Sequence, residues 1–530
     1  MYDFIIVGGG TSGCVLANRL SKKFNVLLIE AGAETRNNLI DTPMGTLLLY
    51  HSKKYNWRYW SQENDNLNRR EIYCPQGRGL GGSSVINAML YVRGNAWDFD
   101  NWQALGNAGW GYDSMLKHFR QCERNLDFND QFHSKAGEMS VQYTPELHPH
   151  AERFILAGLQ AGYTYNADFN GATQEGVGMY QMTMHNTRRV SAAEAFLYPV
   201  RERRRLTVLT DCAVSQIVFD GNRAVGVRYF DGQTYHQVKA AKEIIIAAGT
   251  FNSAKLLMLS GVGPTEELAR HDIPLIHHLP GVGQNLQEHP DVVITTESRI
   301  NDTINLSLAT LFKVMKGFWQ FRKKRYGLLS KPISESGGFF KTRDDLPAPD
   351  IQIQSLASMF NDHGFDEQIV KKHGYSIHIS LLHPKSRGQV RLNSADHFDK
   401  PKIELNLLSH DEDVERLLAG LKIGRHILQQ DAYRSHCKQE VYPGEQLRSD
   451  EQLVEFIKAN VCHVYHPVGA CKMGQDEMAV VDEQLKVCGL SGLRVIDCSI
   501  MPQIISGNTN AAAMAIGSKG AEMILQQYRH

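Results

Sequence analysis

Apolar residues along this chain fall in short runs separated by glycine-rich turns. "FIIV" (Phe4 to Val7) and "NVLLIE" (Asn25 to Glu30) read as buried strands, and Val15, Leu16 and Leu20 between them share one helical face. A similar order returns in "EIIIAAGTFNSAKLLMLSGVG", Glu243 to Gly263: buried strand, small-residue turn, helix, glycine stop. In "SIHISLLHPKSRGQVRLNS", Ser376 to Ser394, strand composition surrounds Ser386-Arg387-Gly388, which predicts a hairpin. Leu308, Leu311, Phe312, Met315 and Trp319 recur at helical spacing, accompanied by Lys313, Lys316, Arg322, Lys323, Lys324 and Arg325. No uninterrupted apolar run reaches the roughly 18 residues of a bilayer span, and no internal repeat is visible.

At 530 residues the chain is too long for one ordinary core, so two or more domains are expected. Lys+Arg and Asp+Glu both number 57, and this balance argues against nucleic acid as the main partner. The start, "MYDFIIVGGG", lacks a basic segment followed by an apolar secretory core. Nine cysteines without C-x-x-C pairs suit reduced thiols in a cytoplasmic setting.

The first thirty residues carry the first chemistry. Gly8-x-Gly10-x-x-Gly13 lies between the first strand and the helix, where glycines allow a tight turn and a close approach to a pyrophosphate. Free N–H groups at the helix start then meet phosphate charge. Glu30 closes the second strand, placed to accept hydrogen bonds from a ribose and ill suited to a 2′-phosphate, which disfavours NADP. This motif binds a dinucleotide but does not separate NAD from FAD. A second cluster, "CPQGRGLGGSSVINAMLYVRG", offers Gly77, Gly79, Gly81 and Gly82 ahead of Ser83, Ser84 and Asn87. Backbone so free of side chains can lie against a planar or phosphorylated group.

"GRGLGGSSVIN", "GTFNSAKLLMLSGVG", "YHPVGACKMG" and "VIDCSIMP…SGNTNAA" together resemble the hallmarks of the glucose–methanol–choline (GMC) oxidoreductases, in that family's order and from Tyr2 to about Leu525. The chain looks most similar to bacterial FAD-dependent alcohol dehydrogenases and choline-dehydrogenase-like enzymes. The resemblance implies an α/β fold with a Rossmann-like FAD-binding domain and a mostly antiparallel substrate domain, the active site lying at their junction. It implies FAD held by Gly8, Gly10, Thr11, Ser12, Gly13, Glu30 and Ala31 at the ADP half. Gly81, Gly82, Ser83, Asn87 and Ala88 would lie along the pyrophosphate and flavin, Val214 at the adenine, and Asp497, Asn508, Thr509 and Asn510 near the ribityl chain and flavin. Some members attach FAD through a histidine just before this asparagine. Ile86 stands there, so the FAD is expected to be noncovalent.

In "CHVYHPVGACKMG", Cys462 to Gly474, a zinc reading of His463, His466 and the cysteines fails, because Pro467 and Gly469 break the helix that would align i, i+3 ligands. No metal is expected. Alcohol oxidation moves a hydride to flavin N5 and a proton to a base, a role histidine suits. The family's base maps onto His466, with His463 structural, and its second active-site position maps onto Asn508. An amide there can hold the substrate oxygen; the plainer reading makes Asn508 a helix cap. Ala470 and Ser518 depart from the common pattern without removing a catalytic group.

These readings predict oxidation of a primary alcohol to the aldehyde, with neutral aliphatic or aryl substrates favoured and electrons passing to a quinone-like acceptor. An oxidase that uses dioxygen, a choline dehydrogenase and a lyase with structural FAD are the alternatives. Glu335 in "ISESGGF" is the acid considered for a choline cation. The FAD domain is expected over 1–155, 192–295 and 460–530, and the substrate domain over 156–191 and 296–459. The basic, aromatic segment 308–329 can make peripheral contact with the inner face of a membrane, though the favoured reading is a helix on the substrate domain with solvated charges.

Overall fold

The computed structural model describes residues 1–305, 327–360 and 367–529, so most of the 308–329 segment lies outside the described residues. Two seven-stranded sheets organise the rest. In the first, strands Leu206–Leu209, Val26–Ile29, Tyr2–Val7, Tyr235–Ile246 and Leu493–Val495 run parallel. The apolar runs of the inner strands are buried, as a sheet covered on both faces requires, while the edge strand Leu206–Leu209 is half-buried beyond Leu206. An antiparallel extension, Arg223–Phe230 and Ala213–Asp220, continues beyond the long Tyr235–Ile246 strand. Helices Thr11–Leu20 and Asn510–Gln527, from opposite ends of the chain, pack on each other against this sheet.

The second sheet is antiparallel, in the order Cys437–Tyr442, Pro290–Ser298, Gly374–Leu381, Ile351–Leu356, Ser334–Phe340 and Gly176–Met179. Cys462–His463 pairs beside Pro290–Ser298. This sheet therefore takes one strand across the boundary expected at 295 and another from beyond 460. Ile351, Ile377 and Ile379 point at Gly420 and Gly424 of helix Asp411–Leu428, which approaches closely because those positions carry no side chain. By the alternation of a strand, Gln352, Gln354 and His378 take the opposite face.

The hairpin expected at Ser386-Arg387-Gly388 does not form. Gln389–Arg391 pairs with Lys402–Glu404 in a separate small sheet, not with Gly374–Leu381. Asp413 accepts hydrogen bonds from the Lys385 and Ser386 amides at 2.7 and 2.9 Å and turns the chain away, and Gly388 pairs with Leu286 instead.

Candidate active site

Between the sheets lies a cavity of about 470 Å³, lined from both ends of the chain. Its wall includes Gly8, Gly10, Thr11, Ser12, Glu30, Ala31 and Val214, then Gly82, Ser83, Asn87, Ala88 and Asp497, and also His466, Asn508, Thr509 and Asn510. Gly13 and Gly81 do not line it. Gly13 packs so tightly on the loop that a Cβ would stand 2.0 Å from the Gly8 carbonyl oxygen. Gly81, at φ +98°, donates its amide to Gly9 at 2.7 Å, clamping the second glycine cluster onto the first.

The cavity's polar groups suit a dinucleotide with a flavin. Helices Thr11–Leu20, Thr250–Leu259 and Asn510–Gln527 all begin without a side-chain cap, and residues of each amino end line the cavity. Their first-turn N–H groups are thus available to anionic oxygens. Glu30 accepts from the Gly9, Gly32 and Gly79 amides at 2.7, 2.8 and 3.0 Å. A carboxylate offers about four acceptor positions, which leaves room for a ribose hydroxyl. Asp497 accepts from Gly249 N, Ser253 Oγ and Ser499 N and so fixes two helix starts. Asn510 accepts from Thr11 Oγ1 at 2.9 Å, while its buried Nδ2 has no protein partner. Ile86 is buried at the cavity wall.

His466 and Asn508 meet directly: Asn508 Nδ2 lies 3.1 Å from His466 Nε2. Gln352 Nε2 donates to Asn508 Oδ1 at 3.2 Å, so the amide turns its N–H towards the imidazole. Asn508 is not a helix cap. The helix begins at Asn510 with Thr509 before it, because the Asn508 side chain is spent on His466 and Gln352.

Besides Gln352, two residues that sequence reasoning passed over hold this pair. His289 Nδ1 lies 3.0 Å from His466 Nδ1, and its Nε2 lies 3.0 Å from the Ile505 carbonyl oxygen. Glu288 Oε1 accepts from both the His289 and His466 amides, at 2.9 and 2.7 Å. Its other oxygen lies 2.9 Å from His463 Nδ1. Burial pulls the His466 pKa down to about 4, against the opposing pull of Glu288 and Asp291. Burial works against charge on His463 too, but the Glu288 carboxylate prevails and raises it to about 10. The sole signal for this cluster was "QEHPDVV", an acid and a histidine before a proline at the start of an apolar strand.

Among the described residues, Glu288, His289 and His466 also form the one group of metal-ligating type within coordinating reach. It differs from the cysteine–histidine set weighed from the sequence. Its donors are already engaged: the two rings with each other, and Glu288 with two amides and His463. His378 also lines the cavity and bonds Asp291 at 2.6 Å. Glu335 does not line it; its carboxylate accepts from the His148 amide and, through burial, is pushed up to about 7.

The amino-terminal profile of the GMC oxidoreductases matches residues 2–291, and the carboxyl-terminal profile matches residues 384–517. The chain is 41% identical to an alcohol dehydrogenase [acceptor] of Pseudomonas putida over 99% of its own length and 96% of that protein. It is 40% identical to an oxygen-dependent choline dehydrogenase of Escherichia coli, over 99% and 94% of the two chains. An FAD-dependent oxidoreductase from Chaetomium thermophilum superposes with a TM-score of 0.90 at 27% identity, covering 100% of both chains.

Proposed function

The chain belongs to the GMC oxidoreductase family, and on that footing we propose that it is an FAD-dependent alcohol dehydrogenase that oxidises primary alcohols to aldehydes. The observation that carries this reading is the His466–Asn508 pair at the wall of a dinucleotide-sized cavity.

When bound, FAD supplies the two-electron acceptor for the hydride. The chain's residues hold the alcohol and manage its proton. Asn508 Nδ2 and His466 Nε2 face each other, so an incoming hydroxyl can accept from the amide and donate to the imidazole. With its pKa lowered to about 4, His466 is neutral near pH 7 and ready to accept that proton. The uncapped start of helix Asn510–Gln527 favours the negative charge that develops beside it.

Met89, Leu90, Ile333, Leu356 and Phe360 supply apolar wall, which supports neutral aliphatic or aryl alcohols as substrates. A choline cation would want a carboxylate and aromatic faces on that wall. Asp291 is not exposed there, being bonded to His378 and Ser380, and Glu335 lies elsewhere. FAD is held noncovalently, since Ile86 offers no atom for a bond, and electrons leave to a quinone-like acceptor. The cofactor part comprises 1–155, 192–295 and 460–530, and the substrate part the remainder, except that Pro290–Ser298 and Cys462–His463 pair into the second sheet across those bounds.

Stopped-flow mixing of the holoenzyme with an anaerobic panel of alcohols tests the reading. Bleaching of the flavin by at least one neutral primary alcohol, lost in His466→Ala, is expected; bleaching unchanged in that variant would overturn the role of His466. Peroxide release matching dye reduction would identify dioxygen as the acceptor instead. Flavin that stayed with acid-precipitated protein would show a covalent link.

A further inference from the structure

A histidine base needs a free lone pair on the nitrogen that faces the substrate, and neutral imidazole exists in two tautomers. The hydrogen bonds around His466 leave only one of them. The Ile505 carbonyl can only accept, so His289 must carry its proton on Nε2, 3.0 Å away. His289 Nδ1 is then an acceptor, and the contact of 3.0 Å between the two Nδ1 atoms requires the proton on His466 Nδ1. His466 Nε2 is left with its lone pair, which receives the Asn508 N–H.

The opposite side reaches the same answer independently. Tyr180 donates its hydroxyl hydrogen to the Ile353 carbonyl at 2.8 Å, so its oxygen accepts from Gln352 Nε2 at 3.3 Å. That Gln352 amide nitrogen also reaches Asn508 Oδ1 and turns Asn508 Nδ2 towards His466. A proton on His466 Nε2 would confront this N–H.

We propose that His289 is a positioning residue for the reaction: anchored by the Ile505 carbonyl, it locks His466 in the Nδ1–H tautomer and so reserves Nε2 as the base. The inference rests on the reading of His466 as the base of an alcohol dehydrogenase. His289 itself is no proton conduit, because its outer N–H ends on a carbonyl that cannot take the proton onward. Burial, reinforced by His466 and His383 nearby, pushes the His289 pKa far down and keeps the ring neutral, as the lock requires. Glu288, which accepts the amides of both residues, sets the spacing of the two rings. Because His289 is fully buried, its bonds to His466 and to the Ile505 carbonyl are shielded from water.

The test uses the holoenzyme labelled with ¹⁵N-histidine, the His466 ring signals being assigned by their loss in His466→Ala. In the wild type the His466 ring should show a protonated Nδ1 and an unprotonated Nε2; the reverse tautomer would overturn the proposal. His289→Leu removes the acceptor and should move the His466 signals towards a mixture. It should also slow anaerobic flavin reduction on the order of tenfold or more, the scale of losing a partner that orients a ring, with the substrate dissociation constant little changed. His289→Asn, whose Oδ1 can accept where Nδ1 did, should restore both the tautomer and most of the rate. A His289→Leu enzyme with unchanged ring signals and unchanged rate would refute the lock. If His289→Leu does not retain FAD, the wild-type spectrum and His289→Asn decide the matter. If no alcohol reduces the wild-type flavin, the functional reading fails while the spectrum still judges the lock.

Discussion

His466 and His463 stand three positions apart, yet their surroundings drive them in opposite directions. Burial holds His466 near 4, below the ordinary 6.5, so it protonates only in acid. The anaerobic rate of flavin reduction by alcohol should therefore stay level from neutral pH downward and fall only as pH approaches about 4. A fall centred near 6.5 would show the base to be solvated. The linkage has a definite sign: between 6.5 and about 4 the unfolded chain binds a proton here that the folded one does not, so His466 costs stability as pH drops through that window. His463 behaves in the reverse way. Raised to about 10 by Glu288, it adds stability that is complete below 6.5 and is lost as pH rises through about 10. Replacing it by Leu leaves the Glu288 carboxylate buried without a counter-charge and should cost roughly 3–5 kcal/mol in denaturant unfolding. A cost below about 1 kcal/mol, or one that did not shrink near pH 10, would contradict the ion pair.

At the scale of elements, the turn between Tyr2–Val7 and Thr11–Leu20 has almost no tolerance. Gly13→Ala drives a Cβ to 2.0 Å from the Gly8 carbonyl oxygen, and Gly8 cannot yield because it sits at φ +104° against Ala247. This variant should lose bound flavin on gel filtration, read from the ratio of flavin to protein absorbance; full retention would mean the loop can shift. The turn was legible because glycine spacing reports backbone demand directly. The strand in "SIHISL" was legible too, and "IQIQSL" beside it in the sheet, which no expectation covered, alternates as plainly. What alternation could not say is that the polar face looks into a cavity rather than water, which is how Gln352 came to orient Asn508 unseen. Nor could it foresee Asp413, more than twenty residues on, breaking the expected hairpin. His289 was hidden for a related reason. A lone buried histidine announces nothing until the sheet sets Pro290 opposite His463 and brings His289 beside His466.

On the scale of the whole molecule, the cavity is walled by residues remote in sequence, from Gly8 to Asn510, so a bound cofactor bridges segments that the chain itself does not connect locally. A ligand bound by the native state alone stabilises it by RT ln(1 + [L]/Kd). Stripping FAD should therefore lower the melting temperature by several degrees, and adding FAD back should restore it in proportion to the logarithm of its concentration. Because the wall includes the amino ends of helices Thr11–Leu20, Thr250–Leu259 and Asn510–Gln527, amide exchange should quicken at all three in the stripped protein. The helix Asp411–Leu428 contributes no residue to the cavity wall, and its exchange should change least. Equal acceleration everywhere would mean that FAD holds up the fold as a single unit. Acceleration confined to the three helix starts would show that the second sheet and its helix keep their structure while the cofactor side loosens.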